Sequence, residues 1–189
     1  MSALLALAHA CAPMVSPATI EMIVRTESRG NPLAINVNGD RLLRQPRTYV
    51  QAAEWAGWLV QHGYSIDAGL MQVNSSNWAR LGLTPVTVFE PCTNIRAGAD
   101  VLSEGYARAS SHFGAGQRAL WAAVSAYNTG SLTAGFRNGY VDSAARAAGV
   151  SPPLARNTHA RAAARTAPVS FSIPFLPALN GRVSRSNKR

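Results

Sequence analysis

Between Ser16 and Pro32 the chain sets Ile20, Ile23, Val24 and Glu27 at i, i+3, i+4 and i+7, so three aliphatic side chains and one carboxylate share a helical face. Ser16 is a favoured N-cap and Pro17 suits the first helical position. Asn31 precedes Pro32, and the residue before proline avoids helical angles, so the helix should stop near Gly30. Any fold that buries this face takes Glu27 towards the interior. Desolvation disfavours the charged carboxylate, raises its pKa and leaves a group that can donate a proton near neutral pH. Glu27 is therefore the first candidate for chemistry. The plainer alternative is a helix-end glutamate satisfied by backbone or by Arg25 or Arg29.

The rest of the body reads as short elements separated by turn residues. Residues 33–45 are expected to form a hairpin about Asn38-Gly39, a type I′ turn signal. Thr48 should cap a helix to about Gln61, apolar at Ala52, Trp55, Ala56 and Leu59, with Gly63 closing it. Tyr64 to Asn74 reads as extended or irregular, and Ser75 or Ser76 starts a short helix ending by Gly82. Pro91 opens a longer helix with Cys92, Ile95, Ala99, Leu102 and Tyr106 on one side, and another runs from about Gly116 to Tyr127. Of the four tryptophans, helical spacing favours core positions for Trp55 and Trp121, while Trp58 and Trp78 are available to core or to sugar stacking. The expectation is one α+β domain, mostly α, over residues 1–150.

After Ser151 the periodicity fails. Residues 1–150 hold 11 of the 18 basic residues and all 9 acidic ones, whereas residues 151–189 hold the other 7 basic residues and no acid. That Pro/Ala/Arg/Ser-rich segment is expected to be a disordered tail, able to attract an anionic polymer or a partner. The body shows no basic run or aromatic platform, which argues against nucleic-acid binding. No stretch approaches the ~20 apolar residues of a membrane-spanning helix. Residues 3–10, ALLALAHA, resemble the apolar part of a secretory signal, but no basic residue precedes Arg25, so they are read as the first helix of the domain. Cys11 and Cys92 have no metal or redox spacing; an even count permits one disulfide, with two buried free thiols as the alternative. The four histidines are scattered, and no nucleotide loop, nucleophile elbow or zinc motif occurs, so neither metal nor cofactor is expected.

Three short motifs then occur in order. Thr26-Glu27-Ser28-Arg29-Gly30-Asn31-Pro32 resembles the "ES-x-x-NP" signature of lytic transglycosylases, Gly69-Leu70-Met71-Gln72-Val73-Asn74 their "GLMQ-[IV]-N" motif, and Ala126-Tyr127-Asn128-Thr129-Gly130 their "AYN-x-G" motif. Cys11-Ala12-Pro13 and Glu90-Pro91-Cys92-Thr93-Asn94-Ile95-Arg96-Ala97-Gly98 bring the likeness closest to the VirB1-like branch, the wall-opening enzymes of type IV secretion and conjugation systems. The resemblance covers about residues 3–148. It implies a lysozyme-like fold with a small β-hairpin or sheet beside a cleft, periplasmic action on peptidoglycan glycan strands, and secretion or conjugation components as partners. It further implies Glu27 as the single acid/base, Ser28 and Gln72 orienting the carboxyl and the substrate, Met71 on the cleft floor, and Tyr127 and Asn128 positioning Glu27 and the sugar N-acetyl group. Asn74 closes the second motif and is carried over with the substrate-binding set.

Asp67 stands apart. Asp67-Ala68-Gly69-Leu70-Met71-Gln72 looks like the strand of c-type lysozymes that carries their second carboxylate, although a turn aspartate bonding its own backbone is the plainer reading. Two alternatives therefore stay beside the transglycosylase: a muramidase using Glu27, Asp67 and water, and a non-catalytic wall-binding assembly module.

Overall fold

The computed structural model describes residues 3–151 and 172–173. Helix α1 (Ala3–Cys11) buries Ala8 and Cys11 against α2 (Pro17–Glu27). In α2 the expected face is the buried one: Ile20, Ile23 and Val24 are inaccessible to solvent, each burial contributing about 1.5–3 kcal/mol. The helix ends on Glu27; Ser28 caps it through its N–H to the Val24 carbonyl, and the chain then turns through Arg29 and Gly30 at φ 55° and 84°.

A small antiparallel sheet follows, in the order β1 (Ile35–Val37), β3 (Ile66–Ala68), β4 (Val73–Asn74). This corrects the expected hairpin over 33–45. The chain does reverse at Asn38-Gly39, with the Asp40 N–H on the Val37 carbonyl and Gly39 at φ +80°. Yet β2 (Arg41–Leu42) does not pair with β1; it runs parallel to β5 (Ser172–Ile173). Burial decides the outcome. Ile35 and Val37 go into the core in register with Ala68 and Ile66, whereas Leu43 stays more than half exposed and Pro46 has no N–H to give. The free edge of β1 is covered by one side chain, since the Gln45 amide accepts from the Ile35 N–H (2.8 Å) and donates to the Ile35 carbonyl (2.9 Å).

Thr48 caps α3 (Tyr49–Gln61) as expected, accepting from the Gln51 N–H. Ser75–Asn77 form one 3₁₀ turn leading into α4 (Trp78–Leu81), closed by Gly82 at φ +66°. The long α5 (Pro91–Phe113) and α6 (Gln117–Thr129) pack closely where Gly105 meets Ala123. Trp55 and Trp78 are buried, and Trp121 packs half-buried at the core's edge. Cys11 and Cys92 are joined in a disulfide that ties α1 to the first turn of α5. Closing a loop of 81 residues contributes roughly 4 kcal/mol in the chain-entropy picture.

Two helices had no counterpart in the expectations, α7 (Ala134–Arg137) and α8 (Tyr140–Ala147). Helix α8 lays Val141, Ala144 and Ala145 against α2 and α6. The architecture is thus α+β, mostly helical and lysozyme-like, with the sheet beside the end of α2. The expected tail over 151–189 lies, apart from Ser151 and the backbone of β5, outside the described residues. Among the described residues no helix is long and apolar enough to cross a membrane.

Candidate active site

Glu27 is the last residue of α2, at the negative end of the helix dipole and among buried neighbours. Burial raises its pKa, a hydrogen bond from Tyr140 pulls it down, and the nearby charge of Asp67 raises it again; the result is about 7. The Tyr140 hydroxyl donates to Glu27 Oε1. Burial and the Glu27 charge push the Tyr140 phenol far up, so it stays a donor at any physiological pH. Near pH 7 Glu27 therefore exists in both protonation states, as an acid that must later act as a base requires.

The turn 69–72 is tied to the end of α2 through Ser28, and several motif residues serve to build it. Gly69 has φ +82°, and a Cβ there would fall 2.3 Å from the Asn94 amide nitrogen. Asn94, wholly buried on α5, accepts from the Met71 N–H (2.7 Å) and donates to the Ala68 (2.9 Å) and Val88 (2.8 Å) carbonyls. Gly98, one turn further, leaves the space that Met71 fills, since a Cβ there would lie 2.7 Å from Met71. The Pro-Cys-x-Asn-x-x-x-Gly spacing thus carries the disulfide, the clasp on the turn and the room beneath it.

This placement corrects one implied role. Met71 does not line the cleft floor with its side chain, which is fully buried under Gly98; its carbonyl accepts from the Tyr127 hydroxyl at 2.7 Å. Ser28 does not contact the carboxyl beside it. Its hydroxyl donates to the Leu70 carbonyl (2.7 Å) and accepts from the Gly30 N–H (3.2 Å), locking the end of α2 to the 69–72 turn. Gln72, held at φ 49°, spends its amide nitrogen on the Ala34 (3.0 Å) and Gly69 (2.9 Å) carbonyls. Positive φ in a non-glycine residue costs of order 1 kcal/mol, and here Arg29 and Gln72 flank the Ser28–Leu70 link on either side.

Asp67 sits on the middle strand with Asn36 and Asn74 directly opposite on its two neighbours. The Asn74 amide donates to Asp67 Oδ1 (2.7 Å) and the Asn36 amide reaches Oδ2 (3.4 Å). Asp67, Gln72, Asn74, Tyr127 and Asn128 line one polar cleft of about 190 Å³, together with Asn38, read in the sequence only as a turn residue, and Asn77, which sequence reading did not single out. A larger, mostly apolar groove of about 520 Å³ opens between Met14, Thr19, Leu102 and Leu120. It lies roughly 12 Å back along α2 from Glu27 and brings no ionisable cluster with it. The motif residues Asp67, Gln72, Asn74, Tyr127 and Asn128 line the smaller cleft and not this groove.

Tyr140, whose hydroxyl meets Glu27, is a residue that sequence reading did not single out. Gly139, at φ +82°, precedes it, and Val141, Ala144 and Ala145 follow at helical spacing, the one local signal that α8 offered. Ser125 anchors the approach, accepting from the Gly135 N–H (2.8 Å) and donating to the Ser131 carbonyl (2.7 Å).

Residues 5–148, which carry every group named in this site, match the family described as Transglycosylase SLT domain. The chain belongs to the SLT transglycosylase family. With that membership it is an enzyme, a peptidoglycan lytic transglycosylase. Among curated relatives, this SLT transglycosylase is 39% identical over 182 residues to the Type IV secretion system protein virB1 of Brucella suis biovar 1 (strain 1330), covering 90% of this chain and 76% of that protein. It is 41% identical over 150 residues to Protein virB1 of Agrobacterium fabrum (strain C58 / ATCC 33970), covering 78% of this chain and 60% of that one. No solved structure matches it.

Proposed function

We propose that the chain cleaves the β-1,4 bond between MurNAc and GlcNAc and leaves a 1,6-anhydro-MurNAc end, with Glu27 as both acid and base. Protonated Glu27 gives its proton to the bridging oxygen as the C1–O4 bond breaks. The substrate's own acetamide stabilises the electron-poor C1. Glu27, now ionised and accepting from Tyr140, takes the C6 hydroxyl proton, and O6 bonds to C1. The observation that carries this reading is the single carboxyl with a pKa near 7 held by a phenol that remains a donor. Tyr127 and Asn128, on the wall of the cleft, suit a role in seating the sugar. No step calls for a metal or cofactor.

The likeness to the virB1 proteins of Brucella and Agrobacterium supports a place for this activity in the periplasm, opening the wall locally for a type IV secretion or conjugation apparatus. The basic segment 151–189 would serve there as a tether to wall polymer or to a secretion component.

Asp67 favours one second reading. A carboxylate held between Asn36 and Asn74 in the same cleft suits stabilisation of a positive C1, and with water as acceptor the product would be a reducing end. Mass spectrometry of fragments released from purified peptidoglycan separates the cases. Anhydro ends that vanish in Glu27→Gln support the transglycosylase. Ends heavier by one water, lost in Asp67→Asn as well, point to the muramidase, and a Glu27→Gln protein that still supports assembly fully would revive the wall-binding module.

A further inference from the structure

The loop between α7 and α8 carries Asn138, a side chain that belongs to none of the motifs. Its amide has only one permissible orientation. The Tyr140 N–H can only donate, so Asn138 Oδ1 faces it at 3.0 Å. The Asn138 nitrogen is then left as a donor, and it meets Asn128 Oδ1 at 3.1 Å. That contact in turn settles Asn128, because its acceptor end is occupied and its Nδ2 is the end left for a ligand. Among the described residues no side chain or backbone group accepts from that Nδ2, and Asn128 lines the polar cleft. A backbone N–H thus orients one amide, and that amide orients the next.

We propose that Asn138 is a positioning residue that turns the amide of Asn128 so that an N–H donor, and not a carbonyl, faces the substrate, selecting a sugar that offers a carbonyl acceptor, namely its acetamido group. The assignment rests on the reading of the cleft as a glycan site. Asn138 touches no substrate itself. Its second contact places it at the start of α8, whose first residue carries the hydroxyl on Glu27, so one short loop serves both the sugar-facing amide and the acid.

Asn138→Asp isolates the first task. An aspartate still accepts from the Tyr140 N–H but has no donor for Asn128, which then turns its own nitrogen towards the new carboxylate and its carbonyl towards the cleft. Kinetics on acetylated and on N-deacetylated glycan strands should show KM for the acetylated strands rising about tenfold, the effect of one lost hydrogen bond, with preference between the two substrates reduced. In an Asn128→Ala background the same substitution should add nothing to KM. Asn138→Ser, which keeps an acceptor for Tyr140 and frees Asn128 without forcing it round, should give a smaller rise in KM and serves if the aspartate variant folds poorly. An equal KM cost with and without Asn128, a loss confined to kcat, or no change in any variant would overturn the proposal. A wild type that leaves peptidoglycan uncut instead overturns the reading of the cleft beneath it.

Discussion

The hydroxyl of Tyr140 donates to the carboxyl of Glu27 across 113 residues of chain, joining the first turn of α8 to the last residue of α2. The bond favours the ionised carboxylate, while burial and Asp67 favour the protonated form. Acid strength at this site is a balance between groups that can be altered one at a time.

Tyr140→Phe removes the pull that lowers the pKa of Glu27. The fall in kcat on the alkaline side should move to higher pH, and kcat at the optimum should drop by about tenfold as the second, base role loses its support. A pH–rate profile on soluble glycan fragments checks this; an unmoved alkaline limb refutes it.

Asp67→Asn acts in the opposite direction. Losing a nearby negative charge lets Glu27 ionise sooner, so the alkaline limb should shift to lower pH. The same profile measured on the two variants should show displacements of opposite sign, a result that general loss of structure would not produce.

Glu27→Gln should lower kcat by at least about a hundredfold. It should also change how stability depends on pH. The carboxyl's pKa is about 7 when folded against 4.5 for an ordinary glutamate, so wild-type stability is fully present below about 4.5 and declines as pH rises through 7. The variant lacks that decline. Unfolding curves should therefore show it gaining on the wild type by roughly 2–3 kcal/mol between pH 4 and 8, whereas parallel curves would deny Glu27 a raised pKa.

Asn94→Ala leaves the Met71 N–H and two buried carbonyls without their partner. Denaturant unfolding with the disulfide intact should register a loss of about 2–4 kcal/mol, and the released 69–72 turn should lower kcat even where the protein remains folded.

Much of the helical frame was legible in the residues, because Ile20, Ile23 and Val24, the Thr48 cap and the Pro91 start are local signals. What escaped was set through space. Nothing near Val37 says that its strand will pair with residue 66 and not with residue 41, nor that the Gln45 amide will stand in for a strand. Helix α8 hid because its buried face is mainly alanine, and Tyr140 hid with it. The motifs named Glu27 and residues that line the polar cleft, but several of the others hold a turn in place: Ser28, Met71, Gln72 and Asn94.

The covalent link between α1 and α5 gives this enzyme a sense of where it is. Its cross-link survives only where thiols are oxidised, and glutathione in a cytosol would keep Cys11 and Cys92 apart. In a reducing compartment the chain is then without roughly 4 kcal/mol of its stability, a large share of what a domain of this size commonly has. The fold is thus at its most robust only in an oxidising compartment, and the anchor of its first helix doubles as a latch that oxidation closes.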